Sequence, residues 1–356
     1  MSAHRAAGTG ILRRPHHLVA VATAAGLLAA AGWSTAATAS LAPGKRMSAT
    51  TLTATVAAAP ASGAFAGSPA GVTAFATWRG RPAGIASAFV TDKTWTDVEV
   101  SPTWAANWGK TGYAATMLVT LPMLPKDTTT TIQIGASGAY DAHFKLAAQH
   151  LVAAGLGSAT IRIGHELNQK WPRWAAQSDP ASYAAYYRRI VTAMRSVAGQ
   201  SFRFTWCPSA GYAGWDATTA YPGDAYVDVV SVDSYDAWWN HPAATPQQRW
   251  AAIVTANKQG GLNFWAGFAT AHGKPFGFSE WGLVNANAAM ATGPSGGGGG
   301  GDDPYYVQQM HDWIAAHSLA YESYMETNAP DGMHALEGTT FPTAAVLYKQ
   351  LWAATT

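Results

Sequence analysis

Apolar positions along the chain follow two alternating rhythms. Short β-branched or aromatic runs occur at Gly84–Val90, Ala115–Leu121, Ala159–Gly164, Phe202–Trp206, Val227–Val232, Pro275–Ser279 and Leu319–Tyr324. Each has the length of a buried strand. Between them run longer stretches whose apolar residues recur at helical spacing: 142–154, 180–197, 246–272, 304–317 and 342–352. In the second of these, Tyr183, Tyr186, Tyr187 and Ile190 share one helix face. Val72–Thr77 fits either rhythm. Strands alternating with helices predict an α/β fold with a parallel sheet and crossover helices. With Val72–Thr77 counted, the strands number eight, and a single-domain (β/α)₈ TIM barrel follows. Ala159–Gly164 is then the fourth strand and Pro275–Ser279 the seventh. A doubly wound open sheet is the alternative.

The amino-terminal region has a different texture. Residues 1–39 read as a secretory signal peptide: Arg13-Arg14, an apolar run from Leu18 to Gly32, then Ala37-Thr38-Ala39 as a small-x-small cleavage site. At about 15 residues the run is short for a membrane span. The expected product is secreted, with no stable membrane anchor. Residues 40–70 are rich in Ala, Ser, Thr, Pro and Gly and read as a flexible linker. The barrel is expected to occupy 71–356. Gly296–Gly301, six consecutive glycines ahead of Asp302-Asp303-Pro304, reads as a mobile excursion beyond the seventh strand.

Charge narrows the functional classes. Charged residues make up 12% of the chain, while hydrophobic residues make up 48%, the reverse of a disordered composition. The net charge of +2 depends on Arg5, Arg13, Arg14, Lys45 and Arg46; the remainder carries 17 bases against 20 acids. Such a body has no electrostatic footprint for nucleic acid. A lone cysteine, Cys207, excludes an intrachain disulfide framework. The 16 tryptophans supply flat, weakly charged surface suited to sugar rings, or filling for a large core.

Only six glutamates are present: Glu99, Glu166, Glu280, Glu322, Glu326 and Glu337. Two of them close core strands. Arg162-Ile163-Gly164-His165-Glu166-Leu167-Asn168 ends the fourth strand, and Phe276-Gly277-Phe278-Ser279-Glu280-Trp281-Gly282 ends the seventh. A buried carboxylate is costly unless partnered, and barrel enzymes carry their catalytic groups at these strand ends. Either glutamate alone reads as a cap or ion pair. Together they form the constellation of a glycoside hydrolase, one a protonated acid and the other ionised. Glu322 and Glu326, four residues apart, are a second candidate pair. Asp236 reads as a sugar-hydroxyl ligand or a strand-end support, and Trp238-Trp239 as a distal sugar platform or a gap filler. No zinc spacing follows His165-Glu166, and no phosphate-binding glycine pattern follows a strand.

These residues resemble glycoside hydrolase family 26. The resemblance rests on Arg162-x-x-His165-Glu166, Trp171 and Trp174, Tyr221-Pro222-Gly223-Asp224-x-Tyr226-Val227-Asp228, Asp233-x-Tyr235-Asp236 and Ser279-Glu280-x-Gly282, and covers about residues 71–353. It implies a retaining endo-β-glycosidase acting on a neutral polysaccharide, β-mannan or β-glucan first, with no cofactor and no metal. Glu166 falls at the family's acid/base and Glu280 at its nucleophile. Arg162, His165 and Tyr235 fall at supporting positions, Tyr235 as hydrogen-bond donor to the nucleophile. Trp171, Trp174, Asp233, Trp281 and Tyr140 are the expected substrate contacts. Trp281 replaces the family's usual phenylalanine, and the glycine run is not a family feature. A monomer is expected. The rival readings are a non-catalytic polysaccharide-binding barrel and a transglycosylase.

Overall fold

A computed structural model describes residues 59–353, apart from 101–115, 127–128, 212, 239–240, 242, 256–259, 286–297 and 330–331. Eight parallel strands close into a barrel: β1 (Ala61–Phe65), β2 (Ile85–Phe89), β3 (Thr116–Leu121), β4 (Thr160–Ile163), β5 (Arg203–Trp206), β6 (Val229–Tyr235), β7 (Phe276–Gly282) and β8 (Leu319–Met325). Each pairs with the next, and β8 pairs with β1. Helices lie between them: α1 (Pro69–Arg79), α2 (Trp95–Val100), α3 (Ile132–Ala136), α4 (Asp141–Ala153), α5 (Pro180–Arg195), α6 (Pro246–Thr255), α7 (Leu262–Ala271), α8 (Pro304–Ala316) and α9 (Pro342–Trp352). Two 3₁₀ turns, Ala217–Ala220 and Asp224–Tyr226, stand between β5 and β6. This is the (β/α)₈ barrel that the periodicity predicts, not an open sheet.

Helix starts follow local chemistry. Ser68, Asp179 and Asp303 each cap a helix whose first residue is proline, and each side chain accepts a backbone N–H of the first turn. Proline loses nothing there, because the N–H it lacks has no partner inside the helix.

The barrel begins earlier than the composition suggests. β1 lies inside the expected linker, and Val72–Thr77 is part of α1. The sequence Ala-Ser-Gly-Ala-Phe lacks the large β-branched residues that mark a strand. Its small residues suit close approach instead: a Cβ on Gly63 would overlap the carbonyl oxygen of Ile85 on β2. The expected signal peptide, and the linker up to residue 58, lie outside the described residues. The single helix expected over 246–272 is two. Gly260 takes φ 108°, and Gly261 caps α7 with no room for a Cβ beside Val254.

Side chains alternate between the barrel interior and the helix layer. Inside, Ile85, Leu118, Val229 and Tyr321 form an apolar layer. Hydroxyls bond one another around it: Ser87 with Ser323 at 2.6 Å, Thr205 with Ser231 at 2.9 Å, and Ser279 with Ser231 at 2.7 Å and Tyr321 at 3.1 Å. Outside, aromatic groups fill the space between strands and helices, and Trp206, Trp265 and Trp281 are fully buried. For these three tryptophans the packing reading holds.

The glycine run is also not what its composition suggests. Gly296 and Gly297 lie outside the described residues, but Gly298–Gly301 are fastened to neighbouring strand ends. Gly298 accepts the N–H of Trp238, Gly300 donates to the carbonyl of Asp236, and Gly301 donates to that of Val284. Beneath them, Arg249 of α6 donates Nε to Asp236 at 2.7 Å and also pairs with Asp303. Gly300 passes so close that a Cβ would overlap the Asp236 carboxylate and the Arg249 guanidinium. Gly301, at φ 69°, has open space around it. Gly300→Ala is therefore expected to cost about 1–3 kcal/mol by overpacking. Gly301→Ala should cost about 1–2 kcal/mol at most, from backbone strain alone. Urea midpoints of the two variants check the order; equal losses would show that close approach at Gly300 is immaterial.

Candidate active site

The C-terminal ends of β4, β6 and β7 converge at the barrel mouth. Arg162 of β4 is fully buried. Its Nη2 donates to Asp233 Oδ2 of β6 at 2.7 Å and to Glu280 Oε1 of β7. Phe89 of β2 covers the guanidinium, with the ring centroid 5.6 Å from Cζ. Burial works against the charge on Arg162, but Asp233 and Glu280 more than offset it and hold the pKa above its ordinary value. Arg162 is thus a permanent cation shared by two carboxylates. Tyr235, at the end of β6, donates its hydroxyl to Glu280 Oε2 at 2.5 Å. Burial and the charge of Glu280 push the Tyr235 pKa up, so it stays a donor.

A β-bulge aims Glu280. Val232 pairs with Phe278 and Asp233 with Glu280, so Ser279 is the extra residue on β7. Phe276 and Phe278 point outward against Trp313 of α8. Uninterrupted alternation would send Glu280 the same way. The bulge turns both Ser279 and Glu280 inward and sends Trp281 out.

Glu166 follows β4 on a strained turn. Its φ of 51° is the one positive value among the described non-glycine residues. Such a conformation costs about 1–2 kcal/mol and typifies functional sites. The turn is pinned from β5: Glu166 N–H donates to Cys207 O at 2.8 Å. Asn168 clamps Ser209 through both N–H···Oδ1 and Nδ2–H···O contacts at 2.8 Å. Trp171, 62% exposed, donates its indole N–H to Glu166 Oε2 at 2.8 Å. Burial of the carboxyl and the nearby charge of Glu280 push the Glu166 pKa up to about 7. His165 stands among Phe89, Trp171 and Trp174. Burial and the charge of Arg162 hold it well below its ordinary pKa, hence neutral, and its buried Nδ1 has no hydrogen-bond partner among the described residues.

The raised pKa has a sign for stability. Folded Glu166 binds a proton more tightly than the unfolded chain, whose value is near 4.5. Stability contributed by the protonated form is full below about 4.5 and is lost as pH rises toward about 7. Glu166→Gln should therefore raise the melting temperature at pH 8 and leave it nearly unchanged at pH 4. Equal shifts at both pH values would contradict this.

The structure thus brings Arg162, His165, Glu166, Trp171, Tyr235 and Glu280 together. Other expected contacts lie elsewhere. Asp233, 1% exposed, is turned down onto Arg162 and accepts the Cys207 thiol at 3.3 Å, so it supports the guanidinium rather than meeting a sugar. Trp281 is fully buried in the helix layer and donates to Glu322 at 2.6 Å, a consequence of the bulge. Trp174 is buried, its N–H spent on the carbonyl of His165 at 2.7 Å. Tyr140 packs with Trp95 and Tyr186 in the helix ring. The second carboxylate pair is not assembled. Glu322 accepts the indole N–H groups of Trp281 and Trp352, while Glu326, pushed up to about 7 by burial, accepts the backbone N–H groups of Leu336 and Glu337. Asp236 serves Arg249. Trp238 stacks on His241 at 3.8 Å, and Trp239 lies outside the described residues. Asn168, Ser209 and Phe89 support the site without any sequence signal beyond their nearness to strand ends. Among the described residues no cluster of His, Cys, Asp and Glu is arranged to hold a metal ion.

Residues 150–274 match the model of a family described as Glycosyl hydrolase family 26. This segment carries Arg162, His165, Glu166, Trp171 and Tyr235 and stops short of Glu280. Solved structures of similar fold include a modular endo-β-1,4-mannanase from Cellulomonas fimi, 18% identical with a TM-score of 0.54 over 79% of this chain and 65% of that one. The catalytic domain of a family 26 endo-β-1,4-mannanase from Bacillus sp. JAMB-750 is 18% identical with a TM-score of 0.52, over 76% and 78%. A family 26 β-mannanase from Bacteroides ovatus is 13% identical with a TM-score of 0.52, over 82% and 85%. At these identities the likeness establishes the barrel. The chain spans less than two thirds of the Cellulomonas fimi enzyme's length.

Proposed function

We propose, for a chain whose residues 150–274 match the glycoside hydrolase family 26 model, that it is a retaining endo-β-glycosidase of a neutral polysaccharide. β-Mannan is the first candidate, because the similar structures include three described as mannanases. One observation carries the reading: the Glu280 carboxylate, braced on both oxygens by Arg162 and Tyr235, lies near a second carboxyl, Glu166, whose pKa is pushed up to about 7. That is the division of labour glycosidic cleavage needs.

In the first step Glu280 Oε attacks the anomeric carbon. The bond to the leaving oxygen breaks, and Glu166 gives that oxygen its proton. In the second, Glu166, now ionised, takes a proton from water, whose oxygen displaces Glu280 from the same carbon. Arg162 and Tyr235 stabilise Glu280 when it departs as an anion. Trp171 supplies an exposed ring beside the acid, where an apolar sugar face can stack.

Release of reducing sugar from mannan, β-1,3-xylan, lichenan and curdlan tests this. Cleavage of at least one is expected, with products no longer than the substrate; longer products would indicate transfer, and no cleavage would favour a binding barrel. On a cleaved substrate, kcat/KM should fall about tenfold per pH unit above about 7, because Glu166 must be protonated to act as acid. The Trp171 hydrogen bond lowers the Glu166 pKa. Trp171→Phe should accordingly move this limb to higher pH, and a shift to lower pH would contradict the assignment. Export through the leader at 1–39 is part of the proposal; it predicts a mature amino terminus just after Ala39.

A further inference from the structure

We infer that His334, on the loop after β8, is a positioning residue for the nucleophile. The inference rests on the glycosidase reading above. His334 is 4% exposed and fixed through its backbone and its ring. Its N–H donates to Asn328 Oδ1 at 3.0 Å, and its carbonyl accepts the Tyr324 hydroxyl at 2.9 Å. Its Nδ1 lies 2.8 Å from the carbonyl of Leu283. A carbonyl only accepts, so the Nδ1 proton is placed there. The imidazole then lies 5.1 Å from the Tyr235 ring, centroid to centroid, tilted 51°.

These contacts reach both the strand that carries Glu280 and the phenol that braces it. Leu283 directly follows β7, and the same residue's N–H donates to the Tyr324 hydroxyl at 3.3 Å. The chain next in line is held as well: Asn285 N–H donates to Met333 O at 3.0 Å. On the other side, the Tyr235 phenol that donates to Glu280 has the imidazole as a wall. A phenol held in one rotamer keeps its hydroxyl on Oε2; a phenol free to swing loses that alignment. Misplacement of a reacting group by about 1 Å can cost ~100-fold in rate. His334 therefore acts through Tyr235.

A double-mutant cycle tests the assignment on the full chain with the substrate it cleaves best. His334→Ala is expected to lower kcat about 10- to 100-fold while KM changes less than about twofold. In the Tyr235→Phe background, where no hydroxyl remains to align, the same change should add less than about twofold. His334→Asn keeps a donor for Leu283 but removes the ring; its melting temperature should stay closer to wild type while its kcat falls with that of His334→Ala. Losses that multiply in the double variant, or wild-type kcat in His334→Asn, would overturn the inference. Failure of the glycosidase reading looks different: the wild type then cleaves nothing, and the positioning role falls with it.

Discussion

Glu280→Ala is expected to lower kcat on an unactivated substrate by about 10⁴- to 10⁶-fold, as removal of other essential nucleophiles does. The fold should survive, because Arg162 keeps Asp233 as its partner. The space left beside the guanidinium suits a small anion. With an activated β-glycoside, azide should attack the anomeric carbon in place of the carboxylate while the leaving group departs, giving the α-glycosyl azide. Glu166→Ala should behave in the opposite sense. Glu280 still forms the glycosyl-enzyme with a good leaving group, azide then displaces it, and the product is the β-glycosyl azide. Stereochemistry by proton NMR separates the two variants. The same anomer from both would show that the two glutamates do not hold the assigned roles.

Arg162→Met should have the largest effect on stability, about 3–5 kcal/mol, because it strands buried charge. Asp233 and Glu280 share this one guanidinium, and both are buried. Urea unfolding at pH 7 measures the loss. Adding Asp233→Asn should recover part of it by removing one stranded carboxylate. A loss below about 1 kcal/mol, the size typical of an exposed ion pair, would contradict the shared-cation description.

Glu166 and Glu280 are legible as site candidates because a carboxylate closing an apolar strand is physically expensive and needs a reason. The last seven strands were legible for a related cause: buried parallel strands are nearly continuous apolar runs. β1 escaped because Gly63 exchanges side-chain bulk for close strand approach, which in composition looks like a tether. The position of Trp281 is hidden from the sequence by the bulge. Adjacency to Glu280 suggests a shared cleft, but the extra residue at Ser279 sends the two side chains to opposite sides of the barrel wall. Asp233 looked like a ligand because it is polar at a strand end; its partner, Arg162, is far away in the chain. The glycine run looked mobile because entropy is all that composition reports. Its fastening depends on Asp236 and Arg249, and no local pattern signals them. His334 sits in a loop with no motif at all, and only the meeting of β6, β7 and β8 gives it a role.

In the proposed mechanism Glu280 bonds covalently to the sugar. A 2-deoxy-2-fluoro analogue of the cleaved substrate, with an activated leaving group, slows both steps and lets the glycosyl-enzyme accumulate. Peptide mass spectrometry should then find one added glycosyl unit on the fragment bearing Glu280, and none when the same reagent meets Glu280→Gln. A label on another residue, or rapid turnover with inversion and no label, would contradict the account.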